Sequence, residues 1–150
     1  MTFTQDITTF VRVTKLRADA VLRRVSLDMH AGVLFRSPVD TGRFRASNRV
    51  SINAVDPSVA GEREQHSGPN AGDPATGEEL ASASAILLSA RFGDEVIVSN
   101  SLPYAKRLED GWSSQSPEPG GIYQATFQEL TQKFSQLVRD AVRQIDGRVA

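Results

Sequence analysis

The sequence contains no cysteine, so disulfides, thiolate metal sites and cysteine nucleophiles are excluded. This absence fits a protein that is made in a reducing compartment. Histidine is scarce as well: only His30 and His66 are present, and neither has another histidine three or four residues away. A metal site is therefore poorly supported, and we expect neither a metal nor another cofactor.

An excess of one charge and a long apolar run are also missing. The chain has 17 lysines and arginines against 18 acidic residues, a net charge of −1. Domains that bind DNA or RNA are usually basic, so the composition argues against that class. No run approaches the roughly 18 apolar residues of a membrane span. Charged residues also interrupt the first thirty positions, so we expect neither a membrane helix nor a signal peptide.

Catalytic and phosphate-binding motifs are absent too. No serine lies in a G-x-S-x-G turn, and neither the G-x-x-x-x-G-K-[ST] loop nor the G-x-G-x-x-G turn occurs. Asp40 and Glu109 are the best candidates for paired carboxylates in general acid–base catalysis. Each has basic residues nearby in the sequence, so helix capping and ion pairing explain both without chemistry. We therefore predict that the protein is not an enzyme.

The apolar residues that are present recur at helical spacing in three segments. These helices are predicted over residues 6 to 36, 78 to 91 and 123 to about 145. The first would be about 45 Å long, at 1.5 Å per residue. A helix of that length needs a neighbour, which is either the last helix or another subunit.

Two strands and two loops separate the helices. Alternating apolar residues predict strands over residues 49 to 55 and 95 to 100. Residues 56 to 78 contain three prolines and four glycines, which predicts a mobile loop. A second loop covers residues 111 to 121. We therefore predict a single α+β domain over residues 1 to 150, in which long N-terminal and C-terminal helices pack with a small β-sheet and a central helix.

A corner is predicted at residues 37 to 47, which read SPVDTGRFRAS. Pro38 pushes the residue before it out of helical conformation, so the first helix should end there. Asp40 or Thr41 can cap a short helix through residues 43 to 46. Gly42 suits the unusual backbone conformation of a tight bend.

Arg43 and Arg45 flank Phe44 in this corner. Two arginines beside an aromatic ring faintly resemble a phosphate or nucleic-acid contact, but sequence-specific reading of DNA is not indicated. We instead expect acids such as Asp40 or Glu109 to hold both arginines, within the subunit or across to the next one.

A second corner follows the second strand. Ser101 can cap a short helix there, in which an early Pro103 is acceptable. The same helix would contain Tyr104 and Glu109. Gly111 predicts its C-terminal end.

Three aromatic residues surround this second corner, namely Tyr104, Trp112 and Tyr123. Trp112 is the only tryptophan of the chain. Aromatic side chains beside a glycine-rich loop either pack locally or anchor a contact between subunits. The sequence leaves both interpretations open.

Taken together, the two corners are similar to the paired signatures of one protein family. The first signature is a PVDTG-R-hydrophobic-R-A-S pattern, matched by SPVDTGRFRAS. The second has a strand ending in Asn, then L-P-Y-A, a Leu-Glu pair and a glycine, matched by NSLPYAKRLEDGWSSQSPEPGG at residues 100 to 121. The order of helices and strands is similar as well. On these motifs the chain resembles the head–tail joining proteins of tailed bacteriophages, also called neck or tail-completion proteins.

The resemblance implies a structural protein of the virion. Several copies would form a ring at the neck, of about six or about twelve members on the tail axis. Its partners would be the portal and connector proteins of the head and the tail terminator or tail tube proteins. Genomic DNA would pass through the channel without being read for its sequence. Assembly would take place in the host cytoplasm, without a membrane.

The resemblance also implies that both corners are structural corners or subunit contacts. The residues concerned are Pro38, Asp40, Thr41, Gly42, Arg43, Phe44, Arg45, Asn100, Pro103, Tyr104, Glu109, Gly111 and Trp112. Two other functions remain open. One is a small DNA-binding module of phage or prophage origin, and the other is a small hydrolase that uses Asp40 and Glu109.

Overall fold

The fold is the predicted α+β arrangement, with two long terminal helices, a central helix and a small sheet. The computed structural model describes residues 2–40, 42–61, 74–113 and 121–149. Its elements in chain order are α1 (Phe3–Arg36), α2 (Arg43–Ala46), β1 (Asn48–Ile52), α3 (Pro74–Leu87), β2 (Val96–Asn100), α4 (Ala105–Glu109) and α5 (Tyr123–Val149).

Helix α1 begins three residues earlier than the apolar pattern predicted. Thr2 and Gln5 form a capping box there: the Thr2 hydroxyl accepts from the Gln5 amide, and the Gln5 side chain accepts from the Thr2 amide. The helix ends at Arg36, and Ser37 is extended at φ −65° and ψ 124°. The stop that Pro38 predicts is therefore confirmed.

The neighbour that the long first helix requires is α5. The two helices pack along each other, and Arg17 lies 2.7 Å from Asp146 near the end of α5. Towards its beginning, Arg36 is bonded to Glu129. These pairs lie at opposite ends of the contact, so α5 covers α1 from about Arg17 onwards.

The sheet consists of β1 and β2, which pair antiparallel with Asn48 opposite Asn100 and Ile52 opposite Val96. The predicted first strand is too long, because Asn53 takes a left-handed conformation at φ 61°. Its side-chain oxygen accepts from the Glu95 amide at 2.9 Å, and this bond closes the end of the ladder.

Helix α3 begins at Pro74, so the loop predicted over residues 56 to 78 is too long at its C-terminal end. Proline is favoured in the first turn of a helix, where its missing amide proton costs no bond. Residues 56–61 have no regular structure. Residues 62–73 lie outside the described part, so the predicted mobility stays a prediction.

The core has two apolar clusters that share one residue. The first lies under the two corners and contains Val33, Phe44, Leu102 and Ile122. The second lies between the sheet and α3 and contains Val50, Ala83, Leu87 and Ala90. Val98 of β2 packs against both clusters, so the sheet and the corners form one packed unit. Within the described segments, no helix is long and apolar enough to span a membrane.

Candidate functional site

The two corners predicted from the sequence lie together at one end of the sheet. Helix α2 leads directly into β1, and β2 leads out towards α4. Because the strands are antiparallel, the start of β1 lies beside the end of β2. This register places Asn48 opposite Asn100 and brings both motif stretches to the same point.

Asn48 lies where the two corners meet, a place here called the junction, and is only 1% exposed. Its side-chain nitrogen donates towards three oxygens of the first corner. These acceptors are Ser37 Oγ at 3.1 Å, the Phe44 carbonyl at 3.2 Å and the Arg45 carbonyl at 3.0 Å. One buried amide therefore fixes the bend between α1 and β1.

The oxygen of the same amide binds the second corner. Asn48 Oδ1 accepts from the Tyr123 hydroxyl at 2.5 Å and from Asn100 Nδ2 at 3.2 Å. Burial and the charge of Glu109 raise the pKa of Tyr123, which keeps its hydroxyl protonated as a donor. Asn48 thus joins β1, β2 and α5 through a single side chain.

Asn100 repeats this role from the other strand. Its Nδ2 also donates to the Phe44 carbonyl at 2.9 Å, and its Oδ1 accepts from the Leu102 amide at 3.1 Å. The expectation that Asn100 belongs to the corner is consistent with these bonds. The Ser101 cap is wrong, because α4 starts after Tyr104 without a side-chain cap, and Asn100 supplies the local bond.

His30 of α1 contacts the junction, since its Nε2 lies 3.3 Å from the Asn48 carbonyl oxygen. Burial lowers the pKa of His30, so the ring is neutral near pH 7 and Nε2 donates. Nδ1 has no hydrogen-bond partner among the described residues. His30 is therefore a structural histidine of α1.

Glu109 caps the N-terminus of α5. Its carboxylate accepts from the amides of Ile122 at 2.7 Å, Tyr123 at 2.9 Å and Gln124 at 3.0 Å. The first amides of a helix have no partner within it, and the helix dipole favours a negative charge at that end. This second-corner acid therefore holds α5 in place.

The C-terminus of α4 ends as Gly111 predicts. Gly111 is left-handed at φ 83°, and its amide donates to the Leu108 carbonyl at 3.2 Å. The next amide, of Trp112, donates back to the Arg107 carbonyl at 3.1 Å. This pair of bonds is a Schellman motif, which turns the chain sharply after α4.

The aromatic residues of the corners have different environments. Phe44 is buried and contacts the partly exposed Tyr104, with ring centroids 6.4 Å apart. Pro38 is buried, whereas Pro103 is exposed. Trp112 is largely exposed. Of the two interpretations of Trp112, burial in a local cluster is therefore wrong, and a subunit contact stays a prediction.

The capping role predicted for Asp40 is wrong. Helix α2 starts after Gly42, which is left-handed at φ 75°, and no side chain caps it. Asp40 is exposed and makes no hydrogen bond or ion pair among the described residues. Thr41 lies outside those residues. The Gly42 backbone makes this turn itself, since its carbonyl accepts the Ala46 amide at 3.0 Å.

Within the described part of one subunit, the two arginines are not held by Asp40 or Glu109, and a contact with acids of a second subunit stays a prediction. Arg43 donates to the Ala60 carbonyl at 3.0 Å, and Arg45 donates to the Ser37 carbonyl at 2.9 Å. Within the described ranges, neither contacts Asp40 or Glu109. The carboxylate of Glu109 is already occupied by three amides. These two bonds of the arginines go to backbone carbonyls, one in the first corner and one in residues 56–61.

Sequence reasoning missed two residues of the junction, Asn48 and Gly121, and it gave Tyr123 no bonding role. The signal for Asn48 is its position directly after the first motif, at the start of a strand where asparagine is uncommon. Across the described part of the chain, no group of three or more histidine or acidic residues could hold a metal ion. The polar groups of the junction form hydrogen bonds with each other and join β1, β2 and α5.

In comparisons with protein-family models, curated protein sequences and solved structures, nothing matches this chain.

Proposed function

We propose that this chain is a neck or tail-completion protein of a tailed bacteriophage virion. Copies of the chain form a ring between the head and the tail, of about six or about twelve members. The ring contacts connector proteins on the head side and the tail terminator or tail tube on the other. It lets DNA pass and carries out no chemistry.

The proposal is carried by the convergence of the two motif stretches. Residues 37–47 and 100–111 are distant in the chain, yet Asn48 and Asn100 bind both of them at one end of the sheet. A motif whose polar groups bond to each other serves to hold a shape. This supports an assembly component and gives the resemblance a physical meaning.

The two rival functions have less support. A DNA-binding module would use Arg43 and Arg45, but both donate to backbone carbonyls, and the net charge is −1. A hydrolase would use Glu109 and Asp40, but the carboxylate of Glu109 is occupied in capping α5. Neither rival explains why the two motifs meet.

Electron microscopy of the purified chain at high concentration, with light scattering for mass, tests the proposal. Closed rings with an open channel support it and give the copy number. If only monomers appear, tail tubes and filled heads of the phage that encodes the chain are added as templates. A chain that decorates neither contradicts the proposal. Duplex binding that weakens steeply with salt would favour the DNA-binding module instead.

A further inference from the structure

The first part of α1 extends beyond the other helices and strands of the described chain. Helix α1 has 34 residues and α5 has 27, which correspond to about 51 Å and 40 Å at 1.5 Å per residue. The last described ion pair between them is at Arg17. Residues 3 to 16 of α1, here called the N-terminal arm, are exposed except for a half-buried Val13.

The N-terminal arm carries an apolar stripe that nothing in the described part of the chain covers. Phe3 is 79% exposed and Phe10 is 69% exposed. Ile7 and Val11 lie between and beside them and are exposed as well. Steps of four and three place Phe3, Ile7 and Phe10 on one face of the helix.

This stripe continues the side of α1 that packs against α5. Phe10 and Phe3 lie seven and fourteen residues before Arg17, which contacts α5. Val11 lies three heptads before Gly32, where a β-carbon would be 2.5 Å from the Thr126 side chain of α5. Residues one heptad apart drift by only about 20° around a helix. The arm therefore presents a helix-binding face beyond the end of the helix that would cover it.

Helix α5 carries a second apolar surface that the described residues leave exposed. Phe127 is 64% exposed and Phe134 is 49% exposed, although both belong to the apolar stripe of that helix. Leu130 lies between them and is half-buried. These three residues are here called the phenylalanine face of α5. The pattern predicted an inward stripe, but the core covers only the part nearer Leu137 and Ala141.

The two surfaces match in spacing. Phe3 and Phe10 are seven residues apart, as are Phe127 and Phe134, so each pair spans about 10.5 Å at 1.5 Å per residue. A third apolar residue lies between the members of each pair, Ile7 in the arm and Leu130 in α5. Helices with apolar residues at alternating steps of three and four pack side chains of one into gaps of the other.

The polar surroundings of the phenylalanine face favour a helix of this kind as its partner. The residues that flank it on the exposed side of α5 are uncharged, namely Gln124, Gln128, Thr131 and Ser135. Covering the face therefore buries no unpaired charge, which would be costly. The arm carries uncharged Thr4 and Thr14 beside its stripe, and it also carries the charged Asp6, three residues after Phe3 and four before Phe10.

The area is that of a modest but specific contact. Phe3, Phe10, Phe127 and Phe134 are 49–79% exposed. A complete side chain buries about 150–250 Å², so covering the exposed fractions of these four would bury roughly 400–650 Å² of aromatic surface. Stable interfaces bury about 1,200–2,000 Å² in total, of which about 56–65% is apolar. Ile7 and Val11, which are 48% and 43% exposed, add further apolar area. Such a contact is weak for a single pair and gains strength when repeated around a ring.

We propose that the N-terminal arm of one copy packs along the phenylalanine face of α5 in a second copy. The two surfaces differ, so the contact is heterologous, and an open chain of copies leaves one free arm at one end and one free phenylalanine face at the other until a ring closes. Closure into a ring rests on the proposed function, whereas the contact itself rests on the two helices.

Cysteine cross-linking tests this contact, because the chain has no cysteine of its own. One variant carries Thr4→Cys in the arm, and a second, distinguishable by mass, carries Thr131→Cys beside the phenylalanine face. The two are mixed at high concentration with a short flexible bis-maleimide. We expect arm-to-α5 products between different copies. Products that join only arm to arm, or only α5 to α5, would overturn the proposal, as would the absence of any product.

Serine substitutions then test the phenylalanines. Phe10→Ser or Phe134→Ser, made in the cross-linking variants, should weaken the association about tenfold or more, since aromatic anchors dominate such contacts. Phe92→Ser is the matched control, because Phe92 is 75% exposed and lies on neither surface. Circular dichroism confirms that each variant is folded. Equal effects of all three substitutions, or no effect of any, would overturn the proposal.

The two proposals can fail separately. Rings that survive Phe10→Ser and Phe134→Ser would refute the contact and leave the neck function standing. Arm-to-α5 cross-links in a chain that binds neither tails nor heads would refute the neck function and leave the contact standing.

Discussion

A β-carbon on Gly121 would lie 2.5 Å from Oε1 of Glu109. The glycine therefore makes room for the carboxylate that caps α5. It also takes a left-handed conformation, at φ 86°, that side chains rarely adopt. Between them, these two residues decide where α5 begins and tie it to the end of α4.

Removing the Glu109 carboxylate should destabilise the fold. Glu109→Ala leaves three amides at the start of α5 without their acceptor. Loss of a capping side chain costs about 0.5–2 kcal/mol, and we expect the upper part of that range because Ile122 is buried. Urea unfolding of the unchanged protein and of the Glu109→Ala variant measures the difference in free energy of unfolding.

Two variants serve as controls for Glu109. Glu109→Gln keeps one acceptor oxygen, so it should lose less than Glu109→Ala. It still loses the charge, worth about 0.3–1 kcal/mol in the dipole interaction, and one of the two oxygens that accept from the three amides. Asp40→Ala removes an exposed acid that does not cap α2, and it should leave the midpoint of urea unfolding unchanged. If Asp40→Ala costs as much as Glu109→Ala, the assignment of the cap is wrong.

The space at Gly121 predicts a difference between two glycines of similar backbone conformation. Gly111 has φ 83°, and a β-carbon there would have no other atom within 4 Å, so Gly111→Ala should cost only the left-handed strain, about 1–2 kcal/mol. Gly121→Ala adds the clash with Glu109 and should cost clearly more. Thermal and urea unfolding compare the two.

A double-mutant cycle isolates the clash. In a Glu109→Ala background, Gly121→Ala should cost no more than Gly111→Ala, because the obstructing carboxylate has gone. Additive losses for Glu109→Ala and Gly121→Ala would show that the two residues do not interact. Gly147→Ala in α5 has open space and a helical backbone and should slightly stabilise the protein.

The helices could be predicted from the sequence because each buries a stripe of apolar residues. Ala83 and Leu87 predicted the buried side of α3, and both are buried; Ala90 is buried too, but it lies beyond the end of α3, which is four residues before the predicted end at residue 91. Pro38 and Gly111 predicted where α1 and α4 end. Proline restricts the local backbone, and glycine allows the left-handed conformation that ends a helix. These signals lie within a few residues of their effect.

The bonds of the junction could not be predicted in the same way. The position of Asp40 before a short helix predicts a cap, but the backbone of Gly42 makes that turn. Glu109 caps a helix that begins fourteen residues later in the chain, and only the folded structure brings the two together. Capping by a distant residue has no local pattern, and neither has a bond from Arg43 to the Ala60 carbonyl.

The Asn48 amide should be the most sensitive polar group of the junction. Asn48→Asp keeps the shape but replaces the donating nitrogen by an oxygen that faces the carbonyls of Phe44 and Arg45. An uncompensated buried charge costs about 3–5 kcal/mol. We expect a loss of that order in the free energy of unfolding, measured by urea denaturation near pH 7.

Tyr123→Phe is the matched variant on the acceptor side of Asn48. It removes one donor, but Asn48 Oδ1 still accepts from Asn100. The loss should be about 0.5–1.5 kcal/mol, the net value of one hydrogen bond. A larger loss for Tyr123→Phe than for Asn48→Asp would contradict the central position of Asn48.

The buried His30 predicts a loss of stability in acid. Burial lowers the pKa of His30 in the folded state below its ordinary value of 6.5, and the positive charge of Arg49 acts in the same direction, against the bond to the Asn48 carbonyl. Above about pH 7.5 the ring is neutral in both folded and unfolded chains, so its protonation has no effect on stability. Below that pH the unfolded chain gains a proton that the folded chain resists.

The free energy of unfolding should therefore fall as the pH is lowered from about 7.5 through 6.5. His30→Gln removes the titrating group and keeps a side chain that can donate to the Asn48 carbonyl, so its stability should change less over this interval. His66 is present in both chains, so its own titration cancels in the comparison. Urea unfolding at several pH values gives the two curves. Parallel curves would mean that His30 accepts its proton as readily in the fold as outside it, which would contradict a buried, neutral ring.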